Sequence, residues 1–229
     1  MFHRPLADGV ELVSVRTDKF KTGVFSVSLA VPMAAETVTG NALLGDVLYR
    51  GSRAHPDIEA ISRATDELYG APVGPGVRQR GESQCVCFSG SFINDRYSLD
   101  GTAVLEPALA LTGELLLDPD TADGAFRTDY VAGEGANLAD QIRARVNEKR
   151  GWSIFRLTQE MCAGEAYGIP RLGDEKDAEK LSLQKLYAQY GELIASSRLE
   201  LIYCGSARQE RVEQALLEAF ATLPRENVQ

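Results

Sequence analysis

Gln84-Cys85-Val86-Cys87-Phe88-Ser89-Gly90-Ser91-Phe92-Ile93 is the most strand-like run in the chain. Side chains alternate between two faces that carry different small and large residues, the period of two expected of a β-strand. Working outward, Val10 to Val15 and Val24 to Val31 alternate in the same way, and we expect them to pair as a hairpin or as neighbours. Leu199 to Cys204 is the fourth strand of this kind. Between these runs the period changes. Leu44, Val47 and Leu48 share a helical face ahead of Arg50-Gly51-Ser52, and Ile58, Ile61, Ala64 and Leu68 form a stripe after Pro56-Asp57. Helices are also expected over Leu99 to Leu117, Ala122 to Lys149, Trp152 to Cys162, Leu183 to Ile194 and Val212 to Phe220. This order is not regular βαβ alternation. It predicts an α+β fold, with a mixed, mainly antiparallel sheet and helices packed on one face, as one domain over residues 5–224.

The chain has 229 residues, 44% of them hydrophobic and 25% charged, enough to bury one sizeable core. With 24 Lys+Arg against 33 Asp+Glu the net charge is −9, which repels phosphate backbones and anionic lipid, so neither nucleic acid nor membrane is an expected partner. No apolar run approaches the ~18 residues of a spanning helix, and the N-terminus lacks the apolar core of a signal peptide. A cytoplasmic location is expected, with the four cysteines as buried free thiols. Only two histidines occur, His3 and His55, which excludes a histidine-rich metal site.

Three chemical motifs fall away. Gly74-Pro75-Gly76 lacks the third glycine and the strand-to-helix setting of a dinucleotide loop, and reads as a turn before an irregular edge strand. Ser182, Ser196 and Ser197 have no histidine placed to act as their base. Glu134, Asp140 and Glu148 read as the solvated face of a polar helix.

Several stretches together resemble the insulinase/pitrilysin family of zinc peptidases, which includes the mitochondrial processing peptidase subunits. They are Gly40 to Ser52, Leu68-Tyr69-Gly70, Leu115 to Pro119, and Gly164-Glu165-Ala166-Tyr167-Gly168-Ile169-Pro170-Arg171-Leu172-Gly173, which is similar to the family's Gly-x-x-Tyr-Gly-x-Pro-x-x-Gly signature. Glu36 to Thr39 and Asp66 to Ala71 resemble a bacterial, non-catalytic branch in particular. Active members carry His-x-x-Glu-His, in which two imidazoles bind zinc and the glutamate activates the metal-bound water. The resemblance puts the first ligand on Ala42, the catalytic glutamate on Gly45, the second ligand on Asp46 and the third ligand on Gln141, with Glu134 as the supporting glutamate. A shifted register brings Glu134 or Asp140 to the third position, but no shift restores a histidine. The resemblance therefore implies a pseudoenzyme with no metal, no cofactor and no peptidase activity.

Family chains of this kind contain two homologous halves, and this one ends soon after Pro224, where a first half would end. It is expected to be an N-terminal half-domain whose partner is an active peptidase homologue or a second half-domain. Two roles follow from the resemblance. One is a non-catalytic wall of a chamber that binds extended peptides, which add to a sheet edge. The alternative is an interaction or scaffold subunit with no peptide role. A lone half also suggests a homodimer, with Val104 to Leu117 and the region of Trp152 and Phe155 as the candidate exposed apolar surfaces.

Overall fold

Chain alternation turns into a sheet with one apolar face. In the computed structural model, which describes residues 1–99 and 101–228, the first elements are β1 (Phe2–Ala7), β2 (Val10–Arg16), β3 (Thr22–Pro32), α1 (Val38–Leu48), α2 (Ile58–Glu67), β4 (Val73–Arg80) and β5 (Ser83–Ile93). There follow α3 (Leu105–Leu117), β6 (Thr121–Ala122), β7 (Ala125–Phe126), α4 (Thr128–Ala144), α5 (Lys149–Met161), α6 (Glu175–Lys180), α7 (Leu183–Ser196), β8 (Arg198–Gly205) and α8 (Gln209–Ala219).

The main sheet has six strands in the order β1-β2-β8-β3-β5-β4. Only β2 and β8 are parallel, so the expected mixed, mainly antiparallel sheet is observed. The expected pairing of β2 with β3 is not: β8 lies between them, with Val10 opposite Leu199 on one side and Val27 opposite Leu201 on the other. Alternation gave each strand its buried face but carries nothing about its neighbour.

Val10 and Leu12, Phe25, Val27 and Leu29, Val86 and Phe88, and Leu199, Leu201 and Tyr203 bury one face of the sheet beneath the helices in a single apolar cluster. At roughly 25 cal/mol per Å² of apolar surface, this burial is the main favourable term in folding. Among the described residues no helix covers the other face, whose centre is closed by its own side chains at Ser28, Cys85 and Cys87 and which is exposed at Val24 and Ile202.

Several expected boundaries move. β1 begins at Phe2 and Arg225 donates to carbonyls of Asp8, Ile194 and Ser197, so the folded unit reaches past both limits of residues 5–224. The helix expected from Leu99 starts at Leu105; Asp100 of that expected helix lies outside the described residues. Ala122 to Lys149 is not one helix, because β6, β7 and a 3-10 turn at Arg145–Asn147 interrupt it. Gly74-Pro75-Gly76 is not a turn but part of β4. The surface proposed at Val104 to Leu117 is not exposed: Leu105, Leu109, Leu111, Leu115 and Leu116 are all buried, because α8 and the sheet both pack on α3. Of the cysteines, Cys85 and Cys87 are buried, whereas Cys162 and Cys204 are only partly so; all four are free. Burial pushes the Cys87 thiol up, away from the reactive thiolate.

Candidate functional site

α1 crosses beneath β4 and β5, and its residues divide between two kinds of neighbour. Ala42, Gly45 and Asp46 stand three and four apart and so share one face. That face and Gln141, from α4, line a single pocket of about 140 Å³ together with Pro75 of β4 and Arg171. The four sequence-designated positions are thus brought together. Of the register alternatives, Glu134 is close enough to Asp46 to act on its charge, while Asp140 turns outward and pairs with Arg143 at 2.5 Å. Glu148 is elsewhere, capping the first turn of α5 through the amides of Arg150 and Gly151.

The chemistry available in the pocket is slight. Asp46 is exposed as a residue, yet partial desolvation of its carboxyl, with the Glu134 carboxylate as a second cause, pushes its pKa up to about 6. Glu134 itself is engaged by Arg50 at 3.2 Å and by Asn137 at 2.9 Å. One carboxylate and one amide, beside an alanine and a glycine, do not make a zinc site. Among the described residues no three His, Cys, Asp or Glu side chains converge as metal ligands. Gly45 is further constrained, since a Cβ placed there would stand 3.0 Å from Pro75 Cβ. A side chain at position 45 would press against this proline of the edge strand.

The signature run holds this frame together. Gly173 adopts φ +75, and a Cβ there would overlap Thr39 of α1, whose Oγ1 accepts from Asp174 N at 3.1 Å. Only glycine fits so close an approach in the left-handed region. Gln84, fully buried, donates to Val38 O and Arg171 O, both at 2.8 Å, and accepts from Asn41 at 3.0 Å. Gln189 of α7 completes the network by donating to Asn41 at 2.6 Å and Thr37 O at 2.7 Å. Sequence reasoning missed this network; its signal was the glutamine that begins the run quoted first.

β4 is the sheet edge beside the pocket. Ser91 N donates to Pro72 O, which sets the alternation so that the backbone groups of Val73, Pro75, Val77 and Gln79 point away from the sheet. Pro75 has no N–H to offer, Val77 O accepts from Arg171 Nε at 3.2 Å, and Gln79 Nε2 donates to Tyr167 O at 3.0 Å. The uncovered sheet face has a floor of small residues, among them Ser26, Ser28, Ala30 and Ser89. Two open depressions lie on it, of about 460 Å³ near Val24, Arg78 and Ile202 and about 500 Å³ near Arg80, Arg198 and Glu200. Arg80 reaches across the face to Glu200 at 2.6 Å. The remaining histidine–serine cluster offers no nucleophile, because Ser52 is fully buried and donates to Glu114, which also binds His55 at 2.9 Å.

The chain is 33% identical over 208 residues to the probable inactive metalloprotease YmfF of Bacillus subtilis (strain 168), a match covering 91% of this chain and 49% of that protein. The resemblance to inactive, insulinase-like metalloproteases thus extends along nearly the whole of this chain. This chain spans about half the length of that relative. No protein-family model matches it. Among solved structures, a conserved protein from Enterococcus faecalis V583 superposes with TM-score 0.88 at 24% identity, over 99% of this chain and 53% of that one. A peptidase M16 inactive domain from Pseudomonas fluorescens does so with TM-score 0.75 at 19% identity, over 100% of this chain and 52% of that one. These two likenesses carry the fold. By fold, this insulinase-like chain matches about half of each of these larger proteins.

Proposed function

We propose that this insulinase-like domain is the non-catalytic partner of an active peptidase homologue or of a second half-domain, and that its uncovered sheet face is one wall of a chamber holding extended peptides. The observation that carries this reading is the contrast between the two sides of the sheet. One is fully packed; the other is open, small-residue-floored and hollowed beside an edge strand with outward backbone groups. A peptide added along Val73 to Val77 would gain main-chain hydrogen bonds with little sequence preference. On this reading Ala42, Gly45, Asp46 and Gln141 are the counterparts of the metal-site residues, and residues 5–224, extended by β1 and Arg225, are one half-domain. Four free thiols favour a cytoplasmic setting.

The test is co-purification of the chain from its source organism with assay of zinc-dependent peptide cleavage. We expect a bound homologue whose cleavage is abolished by a chelator and slowed when this chain is withdrawn. A homologue whose activity is indifferent to the chain overturns the reading.

Trp152 and Phe155 are themselves half-buried, so the homodimer reading moves to their exposed neighbours. On α5, Ile154, Leu157 and Met161 are 55%, 57% and 72% exposed. We expect Leu157→Glu to reduce self-association in light scattering while changing stability by less than about 0.5 kcal/mol.

A further inference from the structure

We propose that Arg145 and Arg171 form a clamp for a carboxylate carried by an extended peptide that adds to the outer edge of β4, an inference that rests on the peptide-holding reading above. Arg145 sits four residues beyond Gln141, on the 3-10 turn that follows α4. Its guanidinium lies 4.2 Å from the centroid of the Phe155 ring, and its Nη2 is buried without a hydrogen bond. Arg171 is exposed and anchored from both ends, its carbonyl held by Gln84 and its Nε donating to Val77 O. The two guanidinium groups are close enough to repel, and that repulsion adds to burial in drawing the Arg145 pKa down.

Neither has a carboxylate partner among the described residues. Nearby arginines do: Arg143 pairs with Asp140, Glu175 and Glu179, and Arg156 with Glu160. Asp46 lines the same pocket as Arg171 without pairing to it. In a chain of net charge −9, two like charges held together without a counter-charge are an unfavourable arrangement that an anion relieves. Planar carboxylates match guanidinium groups through paired N–H donors.

Placement selects the peptide. The segment from Tyr167 to Arg171 covers the Val77 to Gln79 end of the β4 edge, so a strand added from Val73 runs into Arg171 at Val77. The carboxylate is either the C-terminal one or that of an Asp or Glu side chain.

The experiment uses the full chain and three fluorescein-labelled hexapeptides with a common apolar core, read by anisotropy. One has a free C-terminus, one a C-terminal amide, and one an amide with a single Glu. At least one acidic peptide should bind on the order of tenfold to a hundredfold tighter than the neutral amide, and the tighter of the two identifies the source. Both Arg145→Gln and Arg171→Gln should erase that preference, read within each variant as the ratio of acidic-peptide to neutral-amide affinity. Equal binding of all three peptides overturns the clamp and leaves strand addition standing. Binding of no peptide overturns the peptide-holding reading, and glutarate then tests the clamp alone. It should raise the melting temperature of the chain, but not of R145Q/R171Q, above the effect of chloride at equal ionic strength; no excess over chloride overturns the clamp. Since R145Q removes a repulsion, it is expected to fold, and R171Q supplies the independent variant.

Discussion

Asn41 and Ala42 are neighbours in sequence and opposites in circumstance. Asn41 faces a network in which its amide, Gln84 and Gln189 tie α1 to β5, α7 and the loop that ends at Gly173. Ala42, with Gly45 and Asp46, faces a small pocket in which a side chain at Gly45 would press on Pro75. One face of the helix has its polar side chains satisfied by partners; the other presents an alanine, a glycine and one carboxyl to a pocket. The difference teaches that positioning the helix and doing chemistry on it are separable demands on the same eleven residues. Buried polar networks are high-stakes, because each lost partner leaves a desolvated group behind, whereas a face turned to a pocket tolerates change.

The largest effect should come from the satisfied face. Gln84→Ala would leave Asn41, Val38 O and Arg171 O without their shared partner, and we expect a loss of about 3 kcal/mol, read as a lower urea midpoint at unchanged slope. A loss comparable to an exposed substitution would break the comparison.

Next is the collapsed face. Gly45→Glu forces a Cβ against Pro75 and should cost about 2 kcal/mol, despite the better helix propensity of glutamate. In Gly45→Glu/Pro75→Gly the two changes should be coupled favourably by about 1 kcal/mol, measured as a double-mutant cycle. The triple variant A42H/G45E/D46H should show neither tightly held zinc on elemental analysis nor peptidase activity, because Gln141 still supplies no third anionic ligand.

Much of this was legible in the sequence for a physical reason. Alternation reports which residues are buried, and the strands at Val24, Cys85 and Leu199 were found by it. The signature at Gly164 to Gly173 was readable because Gly173 has a backbone need that few residues meet. What stayed hidden was long-range. The insertion of β8 between β2 and β3 joins residues far apart in the chain, and no local period encodes it. β1 is mostly exposed, so it lacks the alternation that a buried face imposes. α3 looked over-supplied with leucine because two partners cover it, and periodicity assumes one. Pro75 read as a turn residue because the outward edge of a strand tolerates a missing N–H that an inner strand would not. Asn41, Gln84 and Gln189 share no motif; only the fold brings them together.

The smallest effect belongs to Asp46, the last side chain on the collapsed face able to carry charge. Its pKa is raised from the ordinary 3.8 to about 6, first by burial and then by Glu134. Between those two values the folded chain keeps a proton that the unfolded chain has released, so stability falls as pH rises through this window and levels off above about 6. Asp46→Asn should remove that slope, matching the parent at low pH and exceeding it at neutral pH. The gain should stay below about 1 kcal/mol, since solvent screens an exposed carboxylate. Melting temperatures across the window test the sign: a variant less stable than its parent at neutral pH would mean that ionised Asp46 has a favourable partner. Glu134→Gln separates the two causes. It should lower the Asp46 pKa seen in a carboxyl NMR titration while costing stability through the unpaired Arg50, and an unmoved pKa would assign the whole shift to desolvation.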